Sequence, residues 1–443
     1  MQNNPFLSSL FAAMLSLSAG MLYAVPGEEG GAPVPGIGGA VTEQEALAPT
    51  ADELVAAALE RSPSLAALRE RLAAAREMIR PAGALPDPMI EFMLADMGFP
   101  KYTVGTEEMS MIGPEVRQGL LYPGKREARR QAARAETAIR GAEFDQLQRL
   151  VAAQVRTLYA RVYALDRERQ ALQAARELLE MLSATVAGRY SAGQAEQEAV
   201  IKAQLEVSRL GERLDDLSAE RTALVAALNR LRDLPGEAPL GMVALLPPVS
   251  FPTSPLEELV LANSAEVAVK QAAVSAAERR LEVARLELRP NLSAGAALGL
   301  RGGFDPAVTL RFGLEWPLWR KQKQEPMIRA AEHELAMSQA DLRDTQAAVR
   351  AEAARLAAEW QRSEKQIQRY QQAIVPQTSA AIDAARASYL AGRGDFLTVV
   401  DDFSRWLDAR MQLASREADR FATWAEFEAL IASPTGSQAG KEN

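Results

Sequence analysis

The sequence predicts a mainly α-helical protein with a small membrane β portion, built from one helix/β-hairpin/long-helix unit used twice. Three observations carry that prediction. Two segments of about 64 residues run almost free of Pro and Gly. Two short segments alternate apolar and polar residues with a period of two. Local patterns of the first half return about 200 residues later.

Composition narrows the function. The 443 residues include no cysteine and one histidine, His333. That excludes disulfides, thiolate metal sites, catalytic thiols and a lipidated N-terminal cysteine. It also excludes imidazole clusters and any Ser/His/Asp triad that does not use His333. His333 lies between Glu332 and Glu334 early in a long helical segment, a surface or packing position. The glycines of 27–39 have no strand before them and no helix directly after, so they form no phosphate loop. No metal, cofactor or enzymatic constellation is expected. A net charge of −8 leaves no footprint for nucleic acid, and a mean hydropathy of −0.13 argues against a bundle of transmembrane helices.

Residues 1–24 read as a signal peptide, with an apolar middle over 10–15 and Leu22-Tyr23-Ala24 before a Val-Pro-Gly turn. The first five residues hold no Lys or Arg and Leu22 stands where a small residue is usual, which keeps an uncleaved N-terminal anchor as the alternative. Residues 25–50, dense in Gly and Pro, read as an extended tether. A first repeat covers 51–232, an equatorial linker 233–254, a second repeat 255–432, and a disordered tail 433–443. Helices are expected at about 51–80, 124–187, 197–232, 255–289, 325–388 and 395–432.

The segment 124–187 has Gly141 as its only breaker and as one helix would reach roughly 96 Å. Val151, Val155, Leu158, Val162, Leu165, Leu172 and Leu179 form a heptad seam, with Arg169 and Arg176 in the skipped slots. Alone, that seam fits an ordinary two-stranded coiled coil. The repeat adds context: Glu53-Leu54-Val55 returns as Glu258-Leu259-Val260, Tyr122-Pro123 as Trp316-Pro317, Arg134-Ala135-Glu136 as Ala330-Ala331-Glu332, and Tyr190-Ser191-Ala192-Gly193 as Tyr389-Leu390-Ala391-Gly392. Residues 197–232 and 255–289, split by the Pro-rich run between them, together nearly match one long helix. Stacked end to end, they can run antiparallel to it.

Each repeat also carries a hairpin, at about 88–121 and about 291–318. In the second, Val308, Leu310, Phe312, Leu314 and Trp316 alternate with Thr309, Arg311, Gly313 and Glu315; the preceding arm runs over 291–300, and 301–306 form the turn. The first is weaker, with Ile90, Phe92 and Leu94 on one arm and a stretch of 104–121 interrupted by Gly113-Pro114. Arms of 9 to 11 residues suit tilted strands crossing a bilayer. Trp316 and Trp319, followed by Arg320, Lys321 and Lys323, read as an interfacial belt, with Tyr122 as the first-copy counterpart. A soluble hairpin capping a helical bundle explains the alternation equally well and the tryptophans less well. Two hairpins give four strands, too few to close a barrel, and lipid tolerates no open edge. Several chains would therefore have to pool their strands, and with them their long helices, into a tube.

This order of elements resembles the TolC-type outer-membrane efflux factor family. The local matches are Gln118-Gly119-Leu120-Leu121-Tyr122-Pro123-Gly124-Lys125-Arg126, Ala84-Leu85-Pro86-Asp87-Pro88, Leu288-Arg289-Pro290-Asn291-Leu292 and both Tyr-x-Ala-Gly turns. The resemblance covers about 51–432. It implies a homotrimer with a 12-stranded β-barrel in the outer membrane, continued by a long α-helical barrel in the periplasm. That barrel stays closed until a periplasmic adaptor and an inner-membrane pump, of the resistance-nodulation-division type, dock. It further implies a periplasmic tip at Tyr190, Gly193, Tyr389 and Gly392. An acidic gate would fall at Thr398 and Asp401, where Thr398 departs from the acidic pattern and Asp402 adds a charge next door. Three-fold symmetry would make each Asp a cation-attracting ring. The Pro-Asp-Pro and Pro-Gly-Lys-Arg details look similar to the branch that accompanies heavy-metal efflux pumps. The competing class is a soluble periplasmic coiled-coil adaptor, which usually has one helical hairpin between β-rich domains.

Overall fold

The computed structural model describes residues 47–194, 196–252 and 255–431. The expected signal peptide, the tether as far as residue 46 and the tail 433–443 lie outside these residues.

The first helical segment is cut by its own sequence. Thr50 opens α1 (Ala51–Arg61) with a capping box, its side chain accepting from the Glu53 N–H while Glu53 reaches back to the Thr50 N–H. Ser62-Pro63 then starts α2 (Pro63–Glu77), because Pro63 lacks the N–H that a continuing helix needs. The short α3 (Ile79–Ala82) follows and stops at Gly83. The single helix expected over 51–80 is thus three.

The first hairpin comprises β1 (Met89–Ala95) and β2 (Met111–Leu120), joined by a loop over 96–110. α4 (Lys125–Ser191) follows as one unbroken helix of 67 residues, about 100 Å long. α5 (Gln197–Leu231) returns antiparallel to it.

The second copy starts with the same cut. α6 (Leu256–Asn263) breaks at Ser264, whose backbone (φ −65°, ψ 123°) nearly matches that of Ser62 (φ −57°, ψ 122°). α7 (Ala265–Leu286) begins there, with the Ser264 hydroxyl accepting from the Val267 N–H at 3.3 Å. The single helix expected over 255–289 is therefore two. β3 (Asn291–Arg301) and β4 (Phe304–Glu315) turn through Gly302-Gly303, a tighter turn than the expected 301–306.

The second long helix holds one surprise. α8 (Gln324–Arg369) passes through a π-helical segment, Tyr370–Ile374, into α9 (Val375–Leu390). Pro376 explains it: its ring would clash with the carbonyl four residues back, and a widened turn removes the clash. In the first copy, 199 positions earlier, stands Glu177, and α4 runs on regularly. α10 (Phe396–Ile431) ends the described chain.

The four strands form one antiparallel sheet in the order β1-β2-β3-β4. β2 runs straight through Gly113-Pro114, which do not interrupt it. The cost shows one strand over, where the β2–β3 ladder has no pairs at Gly113 and Pro114, the latter having no N–H to give.

The heptad seam of α4 packs against several helices, which corrects the coiled-coil reading. Val151, Val155, Leu158 and Val162 share a core with Leu54 and Val55 of α1, Val225 and Leu228 of α5, and Phe421 of α10. Leu172 and Leu179 join Leu210 and Leu217 of α5 and Ile382, Val399 and Phe403 of α9 and α10. A third core gathers Val260, Val267, Leu356 and Phe427. The upper half of α4 meets α7 and the lower half α5, the end-to-end stacking that the lengths predicted.

Candidate functional site

Four places concentrate polar chemistry. The first is the sheet. Register puts Ile90, Phe92, Val116, Leu298, Leu310 and Phe312 on one face, exposed to as much as 77% at Ile90 and 83% at Phe312. The opposite face carries a ladder of ion pairs. Arg117 reaches Glu91 at 3.2 Å and Glu115 at 3.0 Å, and Arg311 reaches Glu115 at 3.4 Å. Gly113, Gly119, Gly295, Gly299 and Gly313 all fall on this polar face. At Gly113 a Cβ would sit 1.8 Å from the Leu298 carbonyl oxygen, so only glycine fits. β1 and β4 have no further strand partner among the described residues. A two-faced sheet with open edges and a bare apolar side is incomplete by itself.

The second place is the junction between sheet and helices. Lys125, 2% exposed, donates to Glu287 (3.1 Å), the Arg289 carbonyl (2.8 Å) and Asn291 Oδ1 (2.9 Å), which satisfies all three of its protons. Arg129 adds a 2.7 Å pair to Glu287. Burial pushes the Glu287 carboxyl up, but the hydrogen bonds and charges of Arg129 and Lys125 outweigh it, so it titrates below its ordinary value. This clamp joins the start of the first copy's long helix to the start of the second copy's hairpin. At the same end of the sheet Tyr122 is half-buried, with the Arg289 guanidinium 5.8 Å from its ring, while Trp316 and Trp319 stand exposed.

Third, an ionic knot fastens the equatorial linker. Asp166, almost fully buried, accepts from Arg221 Nε at 2.7 Å and from the Val243 N–H at 2.9 Å. Arg221 also donates to the carbonyls of Leu240 (3.0 Å) and Gly241 (2.9 Å). The linker in turn pairs with the chain start, the Ala48 N–H donating to the Met242 carbonyl at 2.9 Å. Sequence reasoning missed this knot; its only signal was an acidic residue beside the apolar seam.

The fourth is the far end of the helices. Gly193 and Gly392 sit at φ +70° and +71°, and in both turns the glycine N–H donates to the carbonyl of the Tyr three residues back. The two turns are otherwise unequal. Tyr389 is buried between Arg189 (4.6 Å to the ring) and Phe396 (5.7 Å), whereas Tyr190 is half exposed. Arg189 donates to the Leu390 carbonyl at 2.9 Å, tying one turn to the other. Thr398 and Asp401 lie on the exposed face of α10, away from buried Val399 and Phe403. Asp401 is 2.8 Å from Arg405 and Asp402 is 3.8 Å from it, so both carboxylates face a cation one turn on.

Elsewhere His333 is exposed. Among the described residues no three His, Cys, Asp or Glu side chains gather as a metal site would, and no helix is long and apolar enough to cross a membrane.

Comparison with known proteins gives one answer. A search of curated proteins finds no match. The family model for outer membrane efflux proteins matches residues 54–237 and 256–433. Among solved structures, the outer membrane protein VceC of Vibrio cholerae is 19% identical with a TM-score of 0.72, over 86% of this chain and 95% of that one. CusC is 15% identical with a TM-score of 0.73, over 88% and 95%. The CmeC outer membrane channel of Campylobacter jejuni is 12% identical with a TM-score of 0.69, over 89% and 91%. The adaptor reading, which expects one helical hairpin, is not favoured. The chain belongs to the outer membrane efflux protein family: it is a TolC-type outer-membrane channel of tripartite efflux pumps, with a large helical part in the periplasm.

Proposed function

We propose that three copies of the chain pool their four-stranded sheets into one 12-stranded barrel and their helices into one tube, forming a passive, non-enzymatic duct. The observation that carries this is the sheet. Its apolar face suits lipid, its outer strands β1 and β4 offer unpaired backbone groups, and hydrocarbon penalises such groups by several kcal/mol each. The glycines on the polar face suit the crowded inner side of a closed sheet. The helices follow the strand order, α2 to β1, β2 to α4, α7 to β3 and β4 to α8. The packing of α4 on α7 within one chain is then repeated between α8 and the next copy's α2.

In this reading Tyr122, Trp316 and Trp319 ride at the periplasmic interface of the membrane. The turns at Tyr190, Gly193, Tyr389 and Gly392 form the tip, where a periplasmic adaptor and a pump of the resistance-nodulation-division type dock. Thr398, Asp401 and Asp402 narrow the closed end. Arg405 ties the Asp401 and Asp402 carboxylates down within each copy, so the gate opens when that face rotates. The cargo is metal ions or small toxic compounds, the former favoured by the Pro-Asp-Pro and Pro-Gly-Lys-Arg details. Chemical cross-linking of detergent-solubilised protein tests the assembly. A ladder ending at three chains and surviving mild heating supports it; a band that stays at one chain contradicts it.

A further inference from the structure

Where β2 passes into α4 the chain uses only residues 121–124, but where β4 passes into α8 it uses 316–323. The longer connection carries Trp316, Leu318, Trp319, Arg320, Lys321 and Lys323. Together with α7 and the start of α4 it encloses a recess of about 640 Å³, within the size range of small-ligand sites.

The charge of this recess runs against that of the chain. A protein of net charge −8 lines it with five cations and two carboxylates, Glu287 and Glu315. Glu287 is occupied by Lys125 and Arg129, and Glu315 accepts from Asn291 Nδ2 at 3.0 Å. Arg289 and Lys323 make no ion pair among the described residues, and neither do the adjacent Arg320 and Lys321. Gln324 Oε1 is buried in the wall and accepts no hydrogen bond there. The apolar rim is continuous with the sheet: Trp316 is the next residue in the exposed series Leu310, Phe312, Leu314, and Trp319 stands 70% exposed beside it.

We propose that this recess binds the headgroup of an anionic glycerophospholipid of the periplasmic leaflet, phosphatidylglycerol in chemistry. The acyl chains lie along Phe312, Leu314 and Trp316. The phosphate meets Arg289 and Lys323, two cations that carry no carboxylate partner among the described residues. A headgroup hydroxyl donates to Gln324 Oε1, an acceptor that a trimethylammonium headgroup cannot satisfy. The first copy's connection is four residues shorter and carries no second aromatic residue beside Tyr122. The inference rests on the reading of Trp316 and Trp319 as the membrane belt.

The test is tryptophan quenching of the purified full-length protein in mixed micelles, by phosphatidylglycerol or phosphatidylcholine with brominated acyl chains. The expected result is half-quenching at an at least about fivefold lower mole fraction of the glycerol lipid, because phosphatidylcholine carries the same phosphate but cancels its charge with the trimethylammonium, and about 1 kcal/mol per basic residue favours the net-anionic headgroup. Arg289→Gln with Lys323→Gln should bring the ratio to about one. Arg320→Gln with Lys321→Gln, which removes the same charge beside the recess, should leave it. Equal quenching of the wild type by both lipids overturns the proposal without needing any variant, and so does an equal loss of selectivity in both double variants. Displacement of the glycerol lipid by millimolar inorganic phosphate also overturns it, since the site would then hold a free anion. Quenching by neither lipid would instead overturn the belt reading beneath it.

Discussion

Asp166 is a carboxylate buried in the flank of an apolar seam, tolerable because Arg221 and the Val243 N–H meet it, with Arg169 4.0 Å away. Asp166→Ala leaves Arg221 largely buried without its charge partner. It should cost about 3 kcal/mol in denaturant unfolding followed by circular dichroism. Asp166→Asn keeps an acceptor for Val243 and should lose less. A loss under about 1 kcal/mol for the alanine variant would mean that the linker is held by its apolar side chains. Glu287 gives a pH dependence of definite sign. Its carboxyl titrates lower folded than unfolded, so its contribution is fully present above the unfolded value of about 4.3 and fades as pH falls toward the folded one. Glu287→Gln should be less stable than wild type at pH 7, and the gap should narrow below about pH 4. A gap independent of pH would assign the effect to shape. Neither cluster was legible in the sequence. Asp166 and Arg221 lie 55 positions apart and Lys125 and Glu287 162 apart, and helical or strand periodicity says nothing about pairs so distant.

Elements were far more legible, because periodicity and breakers act locally. The long helices, both hairpins and both Tyr-x-Ala-Gly turns could be read directly from spacing. The misses have local causes too. Pro63 and Ser264 cut helices that composition alone would extend. Gly113-Pro114 looked like a strand break but is a close crossing of β2 over β3. Gly113→Val should therefore prevent assembly into heat-resistant oligomers while far-UV circular dichroism stays helical; normal oligomers would refute the crossing. The π-helical turn before Pro376 was invisible, since a single five-residue widened turn leaves no repeating pattern in a sequence. Pro376→Ala should let the turn relax and slow amide hydrogen exchange over 370–376. Unchanged exchange would show that packing, not the proline ring, holds the wide turn.

At the scale of the whole molecule, the duplication explains most of what is seen. From the starts of α4 and α8 to those of α5 and α10, the copies keep one offset of 199 residues, which preserves the register of both Tyr-x-Ala-Gly turns. They differ where one copy must do something alone: the buried Tyr389, the wide turn at Tyr370–Ile374 and the long β4–α8 connection. Asp401→Ala frees Arg405 and, in the proposed closed duct, should enlarge the conductance; an unchanged conductance removes Asp401 from the proposed gate. In the proposed assembly the copies enclose one water-filled path through a membrane. Single-channel recording of the purified protein in planar bilayers measures that path. Discrete, long-lived current steps are the predicted result, and protein that enters the bilayer yet carries no current would contradict it.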